Sequence, residues 1–170
     1  MLSNFEEIKP NPVTTIYSAD GEVIKTFTAF KFEKVSIDKI PDNLKKAVIA
    51  TEDKNFYHHR GFDTIGMVRS TITNVLSGHV KQGASTITQQ LARILFLSNE
   101  RTFDRKIKEL IIAHRIEKTI SKDEILELYL NSVYLGSGVY GVSSAARTFF
   151  DKDLSELTLA EQALIAGLPQ

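Results

Sequence analysis

The sequence predicts a mainly α-helical domain with one small β element near its N-terminus. Three observations carry this. After residue 35, apolar residues recur at three- and four-residue spacing through most of the chain. Two capping-box signatures, Ser121 to Glu124 and Thr158 to Glu161, mark helix starts. β-Branched and aromatic residues, by contrast, concentrate between residues 13 and 35, around the turn pair Asp20-Gly21.

Taken in order, "TTIYSADGEVIKTFTAF" reads as a hairpin because Asp20-Gly21 separates two strand-like runs. Pro41 is expected to open a helix whose buried face holds Leu44, Ala47, Val48 and Thr51. Residues 64 to 80 repeat Ile65, Val68, Ile72, Val75 and Leu76 at helical spacing and end near Gly78. In "KQGASTITQQLARILFL", Gly83 gives a flexible approach and Ser85 is the expected N-cap. Ile87, Leu91, Ile94 and Leu95 form its expected buried stripe. "DRKIKELIIAHRIEKTI" puts Ile107, Leu110, Ile111 and His114 on one face. The two capping boxes open the next helices, the second of which stops at Gly167 and Pro169. Between them, "YLGSGVYGVSSAARTFF" reads as a glycine-rich loop leading into a helix.

The chain has 170 residues, 42% of them hydrophobic and 25% charged. That is enough for one domain burying about two-thirds of its unfolded surface. Twenty-one basic and 21 acidic residues cancel, which argues against a general polyanion binder, so any phosphate affinity must come from local clustering. There is no cysteine, which removes disulfides and thiolate metal sites. No stretch approaches 18 consecutive apolar residues, so the chain is expected to be soluble. The opening "MLSNFEEIKP" has neither an apolar run nor a small-residue cleavage site and is read as a lead-in over residues 1–12.

Three constellations could carry chemistry. Glu52, at the end of an apolar helical run and near Val48, Ile49 and Phe56, is placed for partial desolvation, which suits a carboxylate to general-base work. The bland reading is a solvated charge at a helix end. In "RTFDRKIKE", Arg101, Arg105, Lys106 and Lys108 face only Asp104 and Glu109, a local surplus of two positive charges. Arg105 and Lys106 lie one turn before Glu109 and favour its ionised form, so the two glutamates differ in environment as acid–base division of labour requires. A salt-bridged exposed helix face is the alternative. In "GASTITQQLAR", two consecutive glutamines are expected not to face the core together. Their amides could donate to sugar hydroxyls or phosphate oxygens, and the helix N-terminus at Ser85 and Thr86 could receive an anion. Polar helix surface is the alternative.

Adjacent His58 and His59 lack a third ligand at metal-site spacing, so His59 is expected to be packed or hydrogen-bonded near Glu52. No dinucleotide fingerprint, P-loop or nucleophile elbow occurs, and nothing suggests nucleic-acid readout.

The order of these stretches is more specific than any one of them. "EDKNFYHHRGFD", "GASTITQQLARILFL", "RKIKELIIAHRIEKTISKDEILELYLN" and "YLGSGVYGVSSAARTFF" followed by "LTLAEQALIAGLPQ" resemble the successive motifs of the peptidoglycan glycosyltransferases. These are the glycosyltransferase domains of class A penicillin-binding proteins and their monofunctional relatives. The resemblance covers roughly residues 36 to 170, and the hairpin fits the class A type. It implies a lysozyme-like, two-lobed helical fold. Residues 13–170 would be the glycosyltransferase domain, expected to stop short of the family's usual C-terminal extent and to lack a transpeptidase domain.

The implied reaction polymerises lipid II into β-1,4-linked glycan, inverting the anomeric centre and releasing polyprenyl pyrophosphate. By motif position Glu52 corresponds to the catalytic base and Glu109 to the second catalytic glutamate. Asp53, His59, Ser85, Thr86, Gln89, Gln90, Arg93, Arg101, Arg105, Lys106 and Asn131 are the expected substrate-binding set. A divalent cation, Mg or Mn, has room beside Glu109 on this reading, with no organic cofactor. Expected partners are lipid II, the growing glycan chain on undecaprenyl pyrophosphate, the membrane surface and moenomycin-type inhibitors, but no nucleic acid. The implied location is the outer face of the bacterial cytoplasmic membrane, with Ile65, Val68, Ile72 and Val75 as candidates for membrane contact or for core.

Residue chemistry agrees with the resemblance. A pyrophosphate leaving group needs charge neutralisation more than protonation, and a basic cluster provides it. A glycosidase wants an acid with few cationic neighbours. Three departures stand out: Arg93 where the family usually has lysine, Ile94 for a common asparagine, and Ala84 for a second glycine. A lysozyme-like hydrolase and a non-catalytic lipid II-binding fragment are the competing readings.

Overall fold

The computed structural model of the chain describes residues 13–18, 20–28, 34–64, 66, 85–97 and 102–169. The expected helix over residues 64–80, with its candidate membrane stripe, lies outside these residues except at Thr64 and Gly66. So do Gly83, Ala84 and Arg101.

The hairpin forms as expected. Strands β1 (Val13–Tyr17) and β2 (Val23–Thr28) are antiparallel, with Val13 opposite Thr28 and an irregularity between Ile16 and Tyr17. Gly21 takes φ +87° in the connection, a left-handed conformation that costs glycine little.

Among the described residues six helices follow: α1 (Asp42–Glu52), α2 (Ile87–Phe96), α3 (Phe103–Thr119), α4 (Lys122–Ser132), α5 (Val142–Phe150) and α6 (Leu159–Ala166). Pro41 is the N-cap of α1 rather than its first helical residue, because its ψ of 135° is extended. Both expected capping boxes are present, at Ser121/Glu124 and Thr158/Glu161. A third, Asp153/Glu156, opens a short 3-10 turn over Leu154–Glu156. Asn131 Oδ1 accepts from the Val35 N–H at 2.8 Å while its Nδ2 donates to the Val35 carbonyl at 2.8 Å, so one side chain pins the incoming segment to α4.

α2 is the centre of the domain, packed against α3 on one side and α4 on the other, while α1 pairs with α6. The core joins Leu44 and Val48 of α1, Phe56, Ile87 and Leu91 of α2, Ala113 and Ile116 of α3, and Ile125, Leu126, Tyr129 and Leu130 of α4. Each fully buried large apolar side chain contributes about 1.5–3 kcal/mol.

Two expected faces differ. In α2, Ile87 and Leu91 are buried, but Ile94 is exposed and Leu95 only partly covered. In α3 the buried residues are Glu109, Ala113 and Ile116, whereas Ile107 and Ile111 are exposed and Phe103 is 80% exposed. The Ile107 and Ile111 edge of α3 therefore faces out, Leu110 and His114 are half-buried, and a carboxylate faces in. The basic partners of Glu109 explain this, as the next section describes. Among the described residues no helix is long and apolar enough to cross a membrane.

Candidate active site

α1 ends at Glu52, and Asp53 leaves helical geometry with φ −158°. That break sends two adjacent carboxylates to different tasks. Asp53 is buried: Oδ2 accepts from the Ile87 N–H at 3.0 Å, and both oxygens lie 2.9 Å from His59 Nε2. Gly61 N–H donates to His59 Nδ1 at 3.2 Å, so the ring proton sits on Nε2 and points at Asp53.

Asp53 thus occupies the N-terminus of α2, where free N–H groups and the helix dipole favour a negative charge. Thr86, not Ser85, is the N-cap, accepting from the Gln89 N–H at 3.2 Å. Its hydroxyl donates to Gly61 O at 2.7 Å, and Gln89 Nε2 donates to the same oxygen at 3.1 Å. The anion expected at this helix end is the protein's own carboxylate. Gly61 makes the clasp fit: its φ is +92°, and an added Cβ would stand 3.2 Å from the Ala113 backbone.

Gln89 and Gln90 are both buried, contrary to the expectation that they could not face inward together. Consecutive helical residues point about 100° apart. Because α2 is covered on two sides, both directions lead into protein. Gln90 Nε2 donates to Glu52 Oε2 at 2.8 Å, and Gln90 Oε1 accepts from the Tyr129 hydroxyl at 3.0 Å. Gln89 Oε1 accepts from Lys106 Nζ at 3.0 Å.

On α3, Glu109 is 2% exposed. Arg105 Nη1 donates to Oε2 at 2.9 Å and Lys106 Nζ donates to Oε1. Lys106 also donates to Ser85 Oγ at 3.0 Å, so all three ammonium hydrogens have protein acceptors. A buried carboxylate is tolerable only when paired and hydrogen-bonded, and this trio meets both conditions. The same trio fixes the rotation of α3: turning Ile107 and Ile111 inward would expose the pairing. Arg105 retains a buried Nε with no hydrogen-bond partner among the described residues.

Arg105 and Lys106 line a cleft of about 1010 Å³ together with Arg93, Phe103, Tyr134 and Tyr140. The two tyrosine rings stand 5.0 Å apart. Burial pushes the Tyr129 hydroxyl's pKa up, the Glu52 charge adds to this, and Arg93 opposes it. Glu52 reaches that phenol through Gln90 and is not among the described residues that line the cleft.

Of the expected residues, Glu52, Asp53, His59, Ser85, Thr86, Gln89, Gln90, Arg105, Lys106 and Glu109 form one connected set, with Arg93 in the adjoining cleft. Asn131 is not brought to it, since its amide binds Val35 and Glu127 O. Arg101 lies outside the described residues. Sequence reasoning missed Tyr129, Tyr134, Tyr140 and the Gly61 clasp. A buried phenol needs a partner for its polar tip, which was the available sign for Tyr129.

One carboxylate is thus tethered by an amide, and another is held between cations beside a basic cleft. A family model described as Transglycosylase matches residues 20–170. Penicillin-binding protein 1A of Neisseria flavescens is 51% identical over 169 residues, 99% of this chain and 21% of that protein. Penicillin-binding protein 1A of Escherichia coli (strain K12) is 56% identical over 169 residues, 99% of this chain and 20% of that protein. A crystal structure of penicillin-binding protein 1A from Haemophilus influenzae aligns with a TM-score of 0.47 at 27% identity, over 95% of this chain and 14% of that one. The chain belongs to the transglycosylase family and is by class a glycosyltransferase. It spans about a fifth of the length of the relatives it matches.

Proposed function

We propose that this domain polymerises lipid II into peptidoglycan glycan strands, with Glu52 as the base and the Glu109 cluster serving the pyrophosphate. The incoming sugar's 4-hydroxyl gives its proton to Glu52 as its oxygen attacks the anomeric carbon of the lipid-linked chain. The carbon–oxygen bond to pyrophosphate breaks, the centre inverts to a β-1,4 link, and polyprenyl pyrophosphate departs with the bonding electrons. The observation that carries this reading is the adjacency of Gln89 and Gln90 on α2, one bound to the Glu109 cluster and the other to Glu52.

Cation chemistry supports the second half of the step. Arg105, Lys106 and Arg93 together offset the charge that develops on a leaving diphosphate. Both Glu109 oxygens face cationic donors, which does not fit a divalent ion held by that residue.

The outward stripe of α3 supports membrane contact. Phe103, Ile107 and Ile111 recur one turn apart on an exposed face, and Phe96 of α2 is exposed too. Phe103 and the cationic residues line the same cleft, matching a ligand with an apolar tail and a diphosphate head. A moenomycin-type phosphoglycolipid shares those two parts and would compete for the cleft. Work at the outer face of the cytoplasmic membrane follows from the same ligand chemistry.

Purified protein incubated with lipid II tests this. Glycan polymer and free polyprenyl pyrophosphate are expected. Soluble muropeptides released from finished wall instead would indicate a hydrolase, and binding with no polymer a recognition module.

A further inference from the structure

Tyr129 carries a polar tip into the apolar core. It is fully buried on α4 beside Ile125, Leu126 and Leu130. Its hydroxyl meets Gln90 Oε1 at 3.0 Å, and Gln90 Nε2 meets Glu52 Oε2 at 2.8 Å. The terminal torsion of a glutamine is broad and two-fold, so nothing in Gln90 itself decides which end of its amide faces Glu52. The partners decide. An ionised carboxylate only accepts, which assigns the NH₂ to Glu52 and leaves the carbonyl for the phenol. The phenol must then donate. Burial and the Glu52 charge both disfavour phenolate, so that donor is retained.

We propose that Tyr129 is a positioning residue for glycosyl transfer: its hydroxyl locks the Gln90 amide, which holds Glu52 by Oε2 and presents Oε1 to the sugar hydroxyl. The proposal rests on the reading of Glu52 as the base. Its proton accounting closes without rearrangement. The sugar's proton passes to Oε1, and Oε2 accepts from Gln90 before and after the transfer. Without the phenol, the Gln90 carbonyl loses its donor and only the bond to Glu52 restrains the amide, so the amide and the carboxylate it holds are less firmly placed.

Tyr129→Phe removes one oxygen and keeps the ring. Its kcat on lipid II should fall roughly 10- to 100-fold, as small misalignments of catalytic groups do, with KM within about twofold and the thermal midpoint little changed. Gln90→Leu should show a similar fall. Tyr129→Phe added to Gln90→Leu should cost less than about twofold more, because residues in one network are not additive. NMR of the Gln90 side-chain amide gives a readout that needs no turnover. Slow exchange in a single orientation is expected in the unmodified protein, and loss of both in Tyr129→Phe. An active enzyme whose Tyr129→Phe form keeps full kcat, or whose two losses multiply, overturns the relay. So does a Gln90 amide that exchanges freely in the unmodified protein. No polymer from the unmodified protein, with its Gln90 amide ordered, overturns the polymerase reading and leaves the relay's geometry standing.

Discussion

Glu52 and Glu109 belong to two hydrogen-bonded groups that meet only through the backbone link between Gln89 and Gln90 on α2. Glu52 is held by Gln90 at 2.8 Å, and Gln89, the preceding residue, is held at 3.0 Å by Lys106, which also binds Glu109. Helix α2 is thus the ruler between an amide-tethered carboxylate and a cation-bound one. Movement of α2 alters both ends together.

Glu109→Gln leaves Arg105 and Lys106 without their counter-charge. Lys106 is more than a third exposed, so water offsets part of the loss, and a destabilisation of about 1–3 kcal/mol is expected. Urea unfolding should show a lower midpoint at unchanged slope. Affinity for a polyprenyl pyrophosphate should fall with it, and retention of both stability and affinity would count against the pairing.

Asn131→Ala removes the clasp on Val35. Hydrogen exchange at the Val35 amide should accelerate, and stability should drop by about 1–3 kcal/mol. Turnover should fall no further than that loss of fold explains. A collapse of turnover with Val35 still protected would instead give Asn131 a substrate-binding role.

Gly141 sits at φ +80°, and an added Cβ would stand 2.5 Å from the Asn131 carbonyl oxygen. Gly141→Ala therefore meets backbone strain and a backbone clash together. A loss of about 1–3 kcal/mol or more is expected in chemical denaturation. Gly138→Ala is the control, since its Cβ meets nothing within 4 Å and only the strain of φ +73° remains.

Tyr57 should titrate late. Partial burial of a side chain that stays 51% exposed, then its hydrogen bond to Asp123, pushes its pKa up to about 12. The raised value favours the neutral phenol in the fold. Its contribution to stability is therefore complete below the unfolded pKa of about 10 and is lost as pH rises towards 12. Alkaline difference spectroscopy on the protein and on Asp123→Asn should show the midpoint falling in the variant, though not to 10, because burial remains.

How far the sequence could be read depended on how local each cause was. Asp20-Gly21, Ser121/Glu124 and Thr158/Glu161 act within four residues, and all three features form as expected. The face of α3 could not be read that way. Its apolar stripe through Ile107 and Ile111 is the stronger periodic signal. The inward residue is nonetheless Glu109, because Arg105 and Lys106 satisfy it and Lys106 reaches across to Gln89 and Ser85. The buried glutamine pair was illegible for a related reason. Only a helix covered on two sides hides consecutive amides, and that is a property of tertiary packing. Tyr129 looked like one more apolar residue of α4 until the position of Gln90 gave its hydroxyl a partner.

The most direct test of the central claim compares Glu52→Gln with the unmodified protein, measuring lipid II binding and glycan synthesis on the same samples. Binding near the original level with polymer reduced by at least about 100-fold is expected, in keeping with removal of a general base. Polymer formed by Glu52→Gln at the original rate would contradict the account.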